Sequence, residues 1–312
     1  MNLKIDSQRL SGEMERLAEF PGAAGLEVRQ DAVGNTFALW VGSQPELPAV
    51  AVGALGGLEA IRALQAAGYR PRRPVELILF SAIEPARFGV GCLGSRLLSG
   101  AIPAWKAARL IGEDGKTFDE WRAEAGFEGP LDSVALAPGH YGAFVDLAIA
   151  LGQPPGIVTA FAASAGLRVT VDGDGAGDAL GEIAAAVNTM ADCVPSRGLE
   201  IRVEDPDQAR RDRIVSQIAT VCRDAAQWRR IAVKAELLYM DPVAECGAEL
   251  VDALARAAVA HSLGYHRMVA RGRHDAQFLL RIAPAGMLLV PSLAEAASGA
   301  LVLAEALAEL AG

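Results

Sequence analysis

The segment Pro74 to Ser95, PVELILFSAIEPARFGVGCLGS, constrains the fold more than any other part of this 312-residue chain. Val75 to Phe80 are almost entirely apolar, which marks a buried strand, and Glu84, Arg87 and a glycine-rich turn follow at once. A buried strand that delivers a carboxylate into a polar turn is how open α/β sheets carry a site at the carboxyl ends of their strands. The residues just upstream supply its neighbour. AVAVGALGGLEAIRALQAAGYRPRRPVELILF reads as a strand, a helix from about Leu55 to Ala67 and a second strand, hence a parallel pair with a crossover.

The rest of the chain falls into two patterns. Ser11 to Leu26 reads as a short helix and turn, leading into strand-like runs around Glu27 to Gln30 and Thr36 to Val41 that turn at Val33-Gly34-Asn35. Residues 101–129 read as amphipathic helices, and Tyr141 to Gly152 reads as a buried strand punctuated by Pro154-Pro155-Gly156. From Leu167, LRVTVDGDG alternates as a half-exposed strand; a helix over Asp178 to Met190, the strand LEIRV and a long helix over Gln208 to Arg230 follow. A helix in AELVDALARAAVAHSLG, the strand MLLVPS and a C-terminal Ala/Leu/Glu helix then resume the first pattern. The expected organisation is an α/β domain of residues 1–166 and 239–312 with an inserted α+β domain of residues 167–238.

Composition removes several function classes. The chain is 52% hydrophobic with a net charge of −9 and no Lys/Arg cluster flanked by aromatics, which argues against nucleic acid and anionic membrane as partners. No window approaches a membrane span and the N-terminus has no apolar signal core, so a cytoplasmic location is expected. The four cysteines show no C-x-x-C spacing and read as buried free thiols.

Several of these segments carry a family resemblance. Gly25-Leu-x-Val-x-x-Asp-x-x-Gly34-Asn35, the Pro74 to Ser95 segment, the run Asp146 to Gly152, the segment around Pro195 to Asp205 and Arg271-Gly272-Arg273-His274-Asp275-Ala276 together resemble the hydantoinase/carbamoylase branch of the dinuclear-zinc metallopeptidase superfamily, the allantoate amidohydrolases and N-carbamoyl-L-amino-acid hydrolases. The resemblance implies a zinc-exopeptidase-like α/β domain with an inserted α+β domain that carries a dimer interface, and a C–N hydrolase of ureido or N-carbamoyl compounds. In that branch two adjacent glutamates serve as general base and metal ligand; here Ile83 and Glu84 stand in their place. The loop that bears the first metal ligands is missing between Gly53 and the following helix. Ala148 occupies a ligand histidine's position, and Pro291-Ser292 leads to the last helix without a histidine. One surviving carboxylate does not hold a zinc pair, so no metal and no other cofactor is expected.

The surviving polar residues have two readings each. Glu84 with Arg87 is a relic ion pair or a working acid; His274 beside Asp275 is a relic or a dyad, although adjacent side chains seldom point at one another. Glu204 stands where the resemblance places a substrate-binding arginine, while Ile83, Ala148, Ala150 and Leu151 read as apolar replacements that add buried surface. His140, His261 and His266 read as loop or helix-end residues. The leading expectation is a non-catalytic homologue acting as a subunit, a homodimer or a heteromer with an active amidohydrolase, paired through an edge strand at Leu167 to Val171. The alternatives are a C–N amidohydrolase on ureido or N-carbamoyl compounds and a ligand sensor using the old cleft.

Overall fold

The computed structural model describes residues 3–6, 25–82, 87–112, 114–195 and 198–312. Its spine is a mixed sheet in the order β1 (Glu27–Gln30), β2 (Thr36–Trp40), β4 (Val75–Leu79), β3 (Ala49–Gly53), β5 (Tyr141–Ile149), β13 (Ala285–Val290), β6 (Gly156–Phe161) and β11 (Ala244–Glu245), with β12 (His266–Ala270) also pairing β6. The crossover expected from the sequence is present. β3 and β4 run parallel with Val50 opposite Val75, and the helix between them, α1 (Ala54–Ala66), buries Leu58, Ile61 and Leu64. β3 passes into α1 with no intervening loop, and the chain turns inside the helix's first residues, where Gly56 takes φ 70°.

Alternation along each strand sorts side chains to two faces. Val50, Val52, Val145 and Leu288 meet α1, α7 (Ala248–Ala260) and α9 (Leu293–Ala311) through Leu64, Leu254, Leu303 and Leu307. Phe37, Ile78, Phe144 and Met287 face the other way, toward α2 (Leu93–Leu98), α3 (Ala104–Ala108), α4 (Phe118–Glu124) and α8 (Asp275–Leu279). Each such side chain contributes about 1.5–3 kcal/mol by leaving water. Glu76 is the exception within the apolar run of β4. It is buried, accepts from Tyr141 Oη at 2.5 Å and pairs with Arg29 Nη2 at 3.1 Å, so the charge is matched.

A second, antiparallel sheet has the order β10 (Ala232–Asp241), β7 (Ala163–Asp172), β9 (Leu199–Asp205) and β8 (Asp192–Pro195). Helices α5 (Ala176–Val187) and α6 (Gln208–Arg229) back one face over Leu167, Val169, Ile183, Ile201 and Ile218. This corrects the reading of Leu167 to Val171 as a free edge. β7 lies inside the sheet, with Val169 opposite both Ala235 and Leu199, and the edges are β10 and β8. β10 escapes a sequence reading because six of its ten residues are exposed and mix small, charged and apolar side chains without a regular alternation. His266 belongs to β12 rather than to a loop or helix end. Leu151 is 80% exposed, so it adds no buried surface. Most of the expected helix from Ser11 lies outside the described residues.

The Gly34-Asn35 turn ties the first hairpin to the segment that follows β4. Asn35 is fully buried; its Nδ2 donates to Asp31 Oδ2 (2.8 Å) and the Gly94 carbonyl (3.3 Å), and its Oδ1 accepts from Ser81 N (2.9 Å) and Ser81 Oγ (3.2 Å). A Cβ at Gly94 would sit 2.1 Å from Asn35 Oδ1, so only glycine lets α2 come this close. Asn35→Ala strands partners on both sides of this joint, and urea unfolding is expected to show a loss of about 2–3 kcal/mol. A loss below about 0.5 kcal/mol, the size of an ordinary surface substitution, would contradict the joint's role.

Candidate active site

The carboxyl ends of β3 and β4, the middle of β5 and the start of α8 converge on two aspartates, Asp146 and Asp275. Asp146 points from β5 across Gly53, where a Cβ would lie 1.9 Å from Asp146 Oδ1; the carboxylate occupies the space a side chain would need. Its Oδ1 accepts from Leu147 N at 2.9 Å. Asp275 opens α8, and its Oδ1 accepts from Ser95 Oγ at 2.5 Å. Ser95 and Cys92 are buried behind it on and just before α2, and Cys92 takes a left-handed conformation (φ 56°) to make that turn.

Both carboxylates keep some surface open, yet protein surrounds them and no described cation pairs with either one directly. Burial pushes the Asp146 carboxyl up to about 7, and the nearby Asp275 charge adds to the rise against the Leu147 amide. Burial likewise raises Asp275 to about 6, while hydrogen bonds from Ser95 and Cys92 and the Arg96 charge favour its ionised form. The better-solvated member of the pair by hydrogen bonds is therefore Asp275, and the first to take a proton is Asp146. Cys92 is driven well above the ordinary thiol value by burial and then by Asp275, so it is present as a thiol that donates.

The residues singled out from the sequence scatter around this pair. Asp275 belongs to it. His274 turns away, with Nε2 at 3.2 Å from the Arg271 carbonyl and its ring tilted against Phe161; burial lowers its pKa, so the neutral imidazole is favoured. His274 and Asp275 therefore form no dyad. Arg87 stacks over Trp121 at 3.4 Å from the ring centroid and reaches Asp114 at 3.5 Å. Glu84 and Ile83 lie outside the described residues. Glu204 accepts from Gly272 N at 2.8 Å, so it fastens the second sheet to the loop before α8. Sequence reading missed Asp146, although its position inside an otherwise apolar strand was a usable signal.

The resemblance implies a two-metal centre, and the donors among the described residues, which do not include Glu84, do not fit one. Among the described residues no three His, Cys, Asp or Glu side chains converge to hold an ion. Asp275 is instead surrounded by a serine, a thiol and a more distant guanidinium, while Asp146 is held by the Leu147 amide and feels the Asp275 charge.

Because both folded-state values lie above that of a free aspartate, the fold binds protons that the unfolded chain has released. The pair costs nothing below about pH 4 and weakens the fold progressively as pH rises through about 6 and 7. Asp146→Asn is therefore expected to raise stability at pH 8, by on the order of 1–3 kcal/mol, and to change it little at pH 4. Thermal unfolding at the two pH values checks this; an equal shift at both would mean Asp146 is not a raised acid.

Comparison with known proteins agrees with this fold. A sequence profile for Peptidase family M20/M25/M40 matches residues 50–301. The chain is 34% identical to a ureidoglycolate hydrolase of Arabidopsis thaliana, over 86% of this chain and 70% of the relative. It is 29% identical to an N-carbamoyl-L-amino-acid amidohydrolase of Paenarthrobacter aurescens, over 86% and 80% of the two chains. The crystal structure of AtUAH in complex with (S)-hydroxyglycine superposes with a TM-score of 0.89 at 29% identity, covering 99% of this chain and 98% of that one. An amidase of the hydantoinase/carbamoylase family from Burkholderia vietnamiensis, at 20% identity and a TM-score of 0.88, shares the fold over 99% of this chain and 98% of its own. The mixed sheet, the profile match over most of the chain and the identity with these relatives together make this chain a member of peptidase family M20/M25/M40, similar to ureidoglycolate hydrolases and N-carbamoyl-L-amino-acid amidohydrolases.

Proposed function

We propose that the protein hydrolyses a C–N bond of a small ureido or N-carbamoyl acid, using Asp146 and Asp275 as its proton-transfer pair. The observation that carries this reading is the coexistence, at the strand ends of an amidohydrolase fold, of one carboxyl held up to about 7 and a second held up to about 6. Near neutral pH such a pair holds one proton between its two members, the state that acid and base roles require. Ionised Asp275 takes a proton from water as the water oxygen adds to the carbonyl carbon. Neutral Asp146 gives its proton to the departing nitrogen as the C–N bond breaks. The 34% identity with a ureidoglycolate hydrolase supports the substrate class. No step is assigned to a metal, because the described donors do not fit one.

That same misfit favours a second reading, a non-catalytic homologue that serves as a partner subunit and has lost its metal site. The two readings separate in one assay. Ammonia release from ureidoglycolate and from N-carbamoyl amino acids is measured with the purified chain, in the presence of a chelator and after added zinc or manganese. The hydrolase reading expects turnover that survives the chelator and falls by about 10²-fold or more in Asp146→Asn and Asp275→Asn. No turnover under any of these conditions would overturn it and leave the subunit reading. Turnover only with added metal would overturn the two-aspartate chemistry.

A further inference from the structure

The second sheet leaves the face opposite α5 and α6 to polar side chains: Arg168 bonds Glu200 at 2.9 Å and Lys234 meets Glu236 at 3.4 Å. At one end of this sheet lies a cavity of about 670 Å³ into which four arginines project: Arg202 from β9, Arg210 and Arg213 from α6, and Arg271 from the loop before α8. In a chain with a net charge of −9 this is an unusual concentration of guanidinium groups.

Three carboxylates line the same cavity, and two are already engaged. Asp205 pairs with Arg210 at 3.3 Å and accepts from Asp207 N, while Glu204 accepts from Gly272 N. Asp192 remains, opposite Arg202 in the β8–β9 register. The guanidinium groups of Arg202, Arg213 and Arg271 make no hydrogen bond or ion pair with any of the described residues. Three unpartnered guanidinium groups around one concavity repel each other, and an oxyanion with several acceptor oxygens relieves that repulsion while matching their planar donor forks. Asn188 and Gln217 on the same wall add neutral amides for the remainder of a ligand.

We propose that this cavity binds a small dianion, a phosphate ester or a dicarboxylate, through Arg202, Arg213 and Arg271. Its walls include neither Asp146 nor Asp275, so the proposal does not rest on the hydrolase reading. Occupancy would nonetheless reach that pair. Arg271 holds His274 through its carbonyl, one residue from Asp275, so an anion bridging Arg271 to Arg202 fastens the second sheet to the loop that presents the carboxylate.

Isothermal titration of the full chain with inorganic phosphate and, separately, with malonate tests the site. Saturable binding of at least one is expected, weakened about tenfold or more in Arg202→Gln/Arg213→Gln. Arg256→Gln, whose side chain pairs with Glu309 elsewhere, is expected to bind as the parent does. Tighter phosphate binding identifies a phosphoryl ligand, and tighter malonate binding identifies a dicarboxylate. If the double variant does not fold, Arg271→Gln on its exposed loop gives the same comparison. No saturable binding of either anion, or binding that all three arginine positions leave unchanged, would overturn the proposal.

Discussion

The placement of the two sheets around Asp146 and Asp275 depends on one buried charge cluster at Asp241. This residue ends β10 opposite Ser164 at the start of β7, so it marks where the chain both enters and leaves the second sheet. Arg96 reaches it from α2 with two bonds, Nη1 to Oδ1 at 2.8 Å and Nη2 to Oδ2 at 2.5 Å, while its Nε holds the Gly91 carbonyl. Arg211 from α6 donates to the Ser164 and Asp241 carbonyls. Both guanidinium groups are almost wholly buried, and Arg96 is flanked by the rings of Tyr239 and Phe278. Stranding a charge in such a place costs about 3–5 kcal/mol, so the two sheets cannot separate at this joint without a large penalty.

With the joint fixed, the loop from Arg271 to Asp275 is held from two sides. Glu204 clamps Gly272 from the second sheet, and Ser95 clamps Asp275 from α2, the same short helix that supplies Arg96. The Asn35 network seats that helix against the end of β4. The aspartates are thus brought together by elements that come from five separate stretches of chain. Their raised proton affinity is a consequence of that enclosure, since burial is the largest cause for both. Stability is spent to hold two acids close, a common sign that a site is used.

Much of the scaffold was legible in the sequence because it follows from local pattern. The crossover around α1, the buried runs of β4 and β13, and the long helices α6 and α9 show their periodicity directly. β6, β10 and β12 did not. β10 is largely exposed, and its role depends on pairing with β7 across some sixty residues of chain, which no local pattern reports. The same limit produced the error over β7, whose alternation fits an inner strand as well as an edge. In the site, His274 and Asp275 were visible as neighbours, but their divergence is set by where Arg271 and Ser95 lie. Glu204 was read as standing in place of a substrate-binding arginine; in three dimensions it is a backbone clamp.

The central claim is that Asp146 and Asp275 titrate as a coupled, desolvated pair. Carbon-13 NMR of carboxyl-labelled aspartates in the full chain, followed from pH 4 to pH 9 and assigned with Asp146→Asn, measures this directly. Two resonances titrating near 6 and 7 are predicted, with the Asp146 resonance moving to lower pH once the Asp275 charge is removed in Asp275→Asn. If both aspartates titrate near the ordinary value of about 4, the pair shares no proton and the two-aspartate chemistry fails.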